Sequence, residues 1–302
     1  MKMMDLKKQD GVDFISWQGF SIPIMREWRP LRIAGGFRQG SIAIGDVTGP
    51  LFEIRWMRPG AADFDGRAWI DGNKKKSDAK IASGPPHPKG FSSVGWIRGF
   101  EEKDSGRKTV WWGYSVKGMI LLEIIVSELA DPAIHEWIIS KALPSLEVFS
   151  PEDAWIWRIF SAQFTVPAGF ILEKHKLNNG DMSLCFRRNK KERLVLRQIY
   201  PAELALGRRP IEKWFEDSPF RERRKFCDAK DGVRAVREKD FTADGWKLVP
   251  FPLGFVMPRR CRRIAVVDDS CDRIYLTEYE YGRRDSGEPA ESALKGMRGG
   301  TP

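Results

Sequence analysis

Three histidines are all the imidazoles this 302-residue chain has, so histidine-dependent acid–base or nucleophilic chemistry must use His87, His135 or His175. His87 lies between prolines in a stretch that reads as loop, His135 falls on the polar side of a helical stretch, and His175 precedes a turn. None has a patterned partner, and there is no Gly-x-Ser-x-Gly elbow. Metal-binding patterns (His-Glu-x-x-His, an EF-hand loop, a Cys/His cluster) are absent from the sequence too. Gly35, Gly36 and Gly40 in AGGFRQG suggest a phosphate loop, but the Lys-Ser/Thr that completes one is missing, and turn chemistry accounts for them better. Asp268 and Asp269 in VVDDSCDR read as a hairpin turn, where Asp bonds nearby backbone groups, rather than as a catalytic dyad. The expectation is a protein with no cofactor and no metal. Catalysis keeps one route, a dispersed site between two lobes that sets His175 or His87 beside a buried carboxylate.

Two other residue types bear on binding. Eight of the twelve tryptophans precede residue 140. Trp111 and Trp112, adjacent on a predicted strand, must point to opposite faces, so one core cannot hold both. Trp56, Trp96, Trp111 and Trp112 are therefore the candidate partner interface, the cover being a second lobe, another subunit or a partner protein. Basic clusters fall in the second half: Arg187, Arg188, Lys190, Lys191 and Arg193; Arg221, Arg223 and Arg224; Arg259 and Arg260. Converging on one face, these would contact a polyanion, and nucleic acid becomes a possible partner. Of the net charge of +10, residues 1–150 carry +3 and the remainder +7.

The elements that would position these residues read as a duplication. One half opens near Phe14 and the other near Trp155, each with an alternating strand closing on proline (Phe20, Ile22, Pro23; Phe164, Val166, Pro167) and then an aromatic, Trp28 or Phe170. Four strands, a helix and three strands are predicted twice, and the short connections favour antiparallel pairing. Pro210 opens one helix, with Ile211, Trp214 and Phe215 on one face; Asp131 and Pro132 open another, which Pro144 stops. This gives an α+β fold of two repeated lobes, each a mainly antiparallel sheet covered by helices. The domain layout is residues 1–12 flexible, 13–150 a Trp-rich lobe, 151–282 a basic lobe and 283–302 a flexible tail, with 72–90 an exposed loop.

This strand order, with extended strands closing on Pro and then an aromatic, resembles the Mog1/PsbP/DcrB-like superfamily in layout across each half. The resemblance implies a sheet flanked by helices and an adaptor or assembly role without a catalytic centre. Composition agrees with a globular protein: 42% of residues are hydrophobic and 30% charged, and the longest apolar run, Met119 to Val126, is broken by Glu123 and too short to span a membrane. A polar start without an apolar leader segment predicts a cytoplasmic protein. The four cysteines lie far apart, read as reduced, and leave open a pairing of Cys261 with Cys271 across a hairpin. The expected function is a non-enzymatic interaction or assembly protein, binding a protein partner or itself, with nucleic-acid binding as the alternative.

Overall fold

A computed structural model describes residues 11–60, 64–76, 95–103, 106–127, 130–160, 162–178, 180–217, 226–237, 240–250, 256–282 and 287–298. The chain divides into two compact units, Met1–Phe160 and Ser161–Pro302.

In the first unit, β1 (Val12–Trp17) and β2 (Phe20–Met25) form a hairpin through the two-residue turn Gln18-Gly19, whose positive φ values of 48° and 84° are those such a turn requires. Gly19 is needed there for a second reason, because a Cβ would meet the Arg58 guanidinium at 2.6 Å. Two further strands extend this small sheet to the order β10-β1-β2-β9, with β9 (Glu147–Val148) and β10 (Trp155–Ile159) arriving from the end of the unit. The larger sheet has six antiparallel strands in the order β3-β4-β5-β8-β7-β6: β3 (Arg29–Gly35), β4 (Gln39–Asp46), β5 (Gly49–Met57), β6 (Gly95–Lys103), β7 (Gly106–Ser115) and β8 (Ile120–Ser127). Its inner face presents Ile42, Ile44, Ile54, Trp56 and Ile124, all buried by alternation along the strands. Phe20 of β2 meets Trp56 with ring centroids 6.2 Å apart, and Trp28 meets both Phe52 and Trp137. Trp137 comes from α2 (Pro132–Trp137), capped by Asp131, whose carboxylate accepts from the Ala133 N–H at 2.8 Å.

The helical path continues from α2 through a π-turn at Ile138–Ala142 into a last short stretch, Leu143–Ser145, and ends one residue past Pro144, close to where it is expected to stop.

In the second unit the large sheet has seven antiparallel strands in the order β12-β13-β14-β18-β17-β16-β15: β12 (Ile171–Asn178), β13 (Asp181–Arg187), β14 (Arg193–Ile199), β15 (Phe226–Arg237), β16 (Asp240–Pro250), β17 (Val256–Asp268) and β18 (Arg273–Tyr281). The order matches that of the first large sheet, with one strand added at the far edge. Leu172, Leu184, Phe186, Leu194, Leu196 and Tyr279 are buried on the inner side, while β11 (Ala162–Val166) and β18 receive α5 (Glu288–Arg298). Two short helices, α3 (Ala202–Leu206) and α4 (Ile211–Asp217), supply Ala202, Ile211, Trp214 and Phe215 to a cluster with Ala265, Ile274 and Leu276 on the opposite face.

The expected α+β sandwich of helix-covered lobes is overturned. Among the described residues antiparallel strand dominates, the helices are short, and none spans a whole sheet face, because much of each outer face carries charged residues rather than an apolar surface in need of cover. Two smaller expectations also fail. Part of the supposed tail, residues 288–298, is α5, anchored by buried Ala290, Ala293 and Leu294, and part of the supposed 72–90 loop is the last turn of α1 (Gly66–Lys76). Positions 77–90 and 299–302 lie outside the described residues.

Arg58 holds the two sheets of the first unit in place at one end. Its guanidinium donates to the Gln18 carbonyl at 2.8 Å and the Gly118 carbonyl at 2.5 Å, tying the β1–β2 turn to the β7–β8 turn, and lies 5.0 Å from the ring centroids of both Phe37 and Trp155. Burial pulls its pKa down to about 10, still far above neutrality, so the group is buried as a cation. Arg58→Met leaves both carbonyls without their donor and should cost about 2–3 kcal/mol in urea unfolding, with m unchanged; a loss below about 0.5 kcal/mol contradicts this role.

Candidate functional site

The tryptophans chosen as a partner interface belong to the unit's own core. Trp56, Trp111 and Trp112 are 2%, 7% and 4% exposed. Trp111 and Trp112 do point to opposite faces, and the cover that the second face needs is α1, whose Ile70 packs with Val110, Trp112, Leu121 and Ile125. Their polar atoms are satisfied internally too: Trp56 Nε1 donates to the Gly36 carbonyl at 2.9 Å, and Trp112 Nε1 to Glu123 Oε1 at 3.0 Å. Trp96 falls on β6, and its side chain lies outside the described residues.

What α1 covers is the β7–β8 half of the outer face. The register places Ser41, Arg55, Glu123 and Trp112 in one row across β4, β5, β8 and β7. Glu53 accepts from Arg55 at 2.9 Å and has Arg32 at 4.0 Å. Burial pushes Glu53 up, but hydrogen bonds from Arg55 and Ser41 and the charges of Arg55 and Arg32 outweigh it and hold the carboxyl below its ordinary value. Between this row and α1 runs an open groove of about 390 Å³, with Met57, Trp69 and Leu121 on one wall and Ser41, Arg55 and Glu123 on the other.

The second unit repeats this division with different residues. Helices α3 and α4 cover the β17–β18 side of its outer face, and the β12–β13–β14 side is charged. Glu173 accepts from Arg187 twice, at 3.0 and 3.1 Å; Arg193 donates to Cys185 Sγ at 3.0 Å and approaches Glu280 at 3.5 Å; Arg197 pairs with Asp181. Glu192, 7% exposed, collects Arg188, Asn189 and the Tyr279 hydroxyl. Deeper still, Arg263 donates to Glu278 at 2.7 Å, both side chains being at most 10% exposed. Burial pushes the Cys185 thiol up against the pull of the Arg193 hydrogen bond, so it remains protonated near neutrality.

The basic candidates are thus only partly gathered. Register runs from Arg187 through Arg193 and Glu280 to Cys261, which brings the β13–β14 turn and exposed Arg260 to the same end of the sheet. Arg187, Arg188 and Arg193 are engaged by carboxylates, whereas Lys190 and Lys191, exposed at the turn, form no salt bridge among the described residues. Arg221, Arg223 and Arg224, and the side chain of Arg259, lie outside the described residues. Sequence reasoning missed the partners Glu173 and Glu280, because cross-strand pairs join positions that no local pattern links, and it missed Glu192, which folds back on Arg188 and Asn189 within the β13–β14 turn.

Elsewhere the polar groups are explained by turns and caps. Gly35 has a φ of 88° in the β3–β4 turn, closed by Gly36 N–H to the Gln39 carbonyl at 2.8 Å. Asp268 accepts from Ser270 at 2.6 and 3.1 Å in the β17–β18 turn, and these bonds hold its carboxyl low. Cys271 sits at that turn, and Cys261 pairs in register with Glu280 well along the strand; both are free thiols, so the pairing across the hairpin does not form. His135 hydrogen-bonds the Ser127 carbonyl at 3.1 Å, His175 is a half-buried β12 residue whose pKa burial lowers, and His87 lies outside the described residues. A larger concavity of about 560 Å³ near the start of α2 contains Asp46 and Asp131, but Thr48 and the helix N-terminus already use those carboxylates. No group of three or more metal-ligating side chains occurs among the described residues, and none of their helices is long and apolar enough to cross a membrane.

No protein-family model matches the chain, and neither does any curated protein sequence. Among solved structures it is similar to the apo form of the T6SS immunity protein TplEi from Pseudomonas aeruginosa, at 12% identity over 97% of both chains with a TM-score of 0.31. It is also similar to TplEi complexed with "L" peptide, at 10% identity over 97% of this chain and 98% of that one, with a TM-score of 0.30.

Two outcomes follow from the charge networks. Arg263→Met alone strands the buried Glu278 carboxylate and should cost about 3–5 kcal/mol, while the double change with Glu278→Leu should recover most of that loss in a thermal-unfolding cycle; a double mutant as unstable as the sum of the single changes contradicts the pairing. Glu53, Glu173 and Asp181 are all held below their ordinary values, so their stabilisation is present above the unfolded-state values near pH 4 and disappears as pH falls through the lower folded-state values. The unfolding midpoint should therefore drop on acidification below about pH 4; a midpoint that rises there runs against the assignment.

Proposed function

We propose that this chain is a non-enzymatic interaction protein that binds a partner protein through the uncovered outer faces of its two large sheets. The observation that carries the reading is the half-cover of each face. Helices close the β7–β8 side of one sheet and the β17–β18 side of the other, leaving the outward side chains of three adjacent strands in each mostly part-exposed. In the first unit that surface pairs an apolar wall with Arg55 and Glu123, a mixture suited to anchoring a partner side chain. In the second unit it is an ion-pair lattice with lysines to spare, suited to selecting a partner by charge.

A second reading, nucleic-acid binding, draws on Lys190, Lys191 and Arg260 at one end of the second sheet. It is the weaker, because phosphate contacts by Arg187, Arg188 or Arg193 would have to displace carboxylates already in place. On this reading affinity for DNA or RNA falls log-linearly with salt.

The test is affinity purification of the full chain from native cells, beside a chain carrying Arg32→Ser, Arg55→Ser, Lys190→Ser and Lys191→Ser. These exposed changes should leave the unfolding free energy within about 1 kcal/mol of the parent. A partner protein should copurify with the parent and be depleted in the variant. Monomer alone at every salt concentration contradicts the reading.

A further inference from the structure

Among the described residues the sheet order of the second unit ends at β12, whose one paired neighbour there is β13. From Lys174 to Asn178 the pairing with β13 runs without a break, so five consecutive residues present an ordered edge. In an antiparallel pair, alternate residues direct their N–H and C=O groups away from the neighbour, so an edge of this length offers a ready ladder to another backbone. The corresponding edge strand of the first unit is less able to do this. In β3, Pro30 has no N–H, the register shifts between Pro30 and Arg32, and Gly35 turns at a φ of 88°.

The side chains along β12 specify what would fit. Lys174, Lys176 and Asn178 are exposed and stand in register with Cys185, Ser183 and Asp181, hence on the outer side; His175 and Leu177, half-buried opposite Leu184 and Met182, lie on the inner side at the margin of the core. Next to the strand is a dent of about 330 Å³ lined by Glu173, Lys174, Arg187, Lys190, Glu192, Arg193 and Glu280. Its carboxylates are occupied, Glu173 by Arg187, Glu192 by Arg188 and Tyr279, and Glu280 by Arg193. Lys174 and Lys190 form no salt bridge among the described residues, so the dent holds positive charge in excess.

We propose that the free edge of β12 receives, as an added strand, an extended segment of a partner protein that alternates acidic and apolar residues. This rests on the protein-binding reading above and gives the partner its chemistry. Carboxylates on the outer side meet Lys174 and Lys190, Lys176 being already paired with Asp181 at 3.1 Å, and apolar side chains on the inner side cover Leu177 and the His175 ring. A phosphodiester backbone has no N–H donors to continue the ladder, which favours a peptide over a nucleic acid. A second copy of this chain fits poorly, because pairing two β12 edges brings lysines against lysines. The lysines that guard the edge against indiscriminate pairing are the ones that select an acidic strand.

The test uses the full chain and a fluorescein-labelled heptapeptide alternating Glu and Val, followed by anisotropy at low salt. Binding should be measurable and weaken with added salt. It should be about tenfold weaker for the same peptide N-methylated along its backbone, and for the parent peptide binding to a K174E/K190E chain of unchanged unfolding midpoint. A Lys/Val peptide should not bind. Absence of binding by the Glu/Val peptide, or equal binding by the N-methylated or Lys/Val peptide, overturns the proposal. A native partner captured equally by the parent and the K174E/K190E chain also overturns the β12 assignment, while leaving the protein-binding reading intact; a partner lost in that variant supports both.

Discussion

A β-sheet face must either be covered or tolerate water, and the large sheets here divide each outer face between the two solutions. The helices that pack outside are short: α1 has eleven residues and α4 has seven. Elements of that length cover a few strands, so the rest of each face has to consist of residues that stay in solvent while the inner face stays buried. Alternation meets that demand strand by strand. On β5, Phe52, Ile54 and Trp56 face inward and Glu53, Arg55 and Met57 outward; on β14, Leu194 and Leu196 face inward and Arg193, Val195 and Arg197 outward. The charged surfaces from which a partner reading follows are therefore a consequence of how little helix the fold contains.

The same constraint explains why the arginines look so different in the sequence and in the fold. Strung along a chain they read as free cations, but a strand places each beside residues of two neighbours. Arg187 pairs with Glu173, Arg193 lies across from Glu280 and Arg263 across from Glu278, so these arginines are not free cations. Exposed pairs of this kind contribute little stability individually. Their effect is to leave Lys174, Lys190 and Lys191 as the groups near the β12 edge with charge to offer. Buried Arg58 is handled differently, through carbonyls and aromatic faces rather than a carboxylate, and its role is to fix one end of the first unit.

Much of the local structure was legible in the sequence. Asp131 and Pro132 signal a helix start by chemistry that acts within two residues, and Pro210 with Ile211, Trp214 and Phe215 marks a helix by spacing alone. Alternation likewise located the strands around Phe20–Ile22 and Phe164–Val166, which are β2 and β11. What stayed hidden depends on contacts across strands or between distant segments. The cover over Trp112 comes from α1, more than thirty residues earlier, so the inference from its neighbour Trp111 to an outside partner was sound about direction and wrong about distance. Residues 288–298 looked like a polar tail because Ala290, Ala293 and Leu294 form a narrow stripe whose burial depends on β11 and β18 being nearby. The balance of helix and sheet is hidden in the sequence for the same reason, since charge pairing removes the need for helical cover without leaving a linear signal.

The central claim is that the uncovered outer face of the second unit is free in the isolated chain and occupied in the cell. It is tested most directly by lysine footprinting, comparing acylation of the purified protein with that of the same protein in intact cells. Lys174, Lys190 and Lys191 should react readily when purified and be protected in cells, while Lys213, exposed on α4 on the helix-covered side, should react equally in both. Equal labelling of all four lysines under the two conditions would contradict the account.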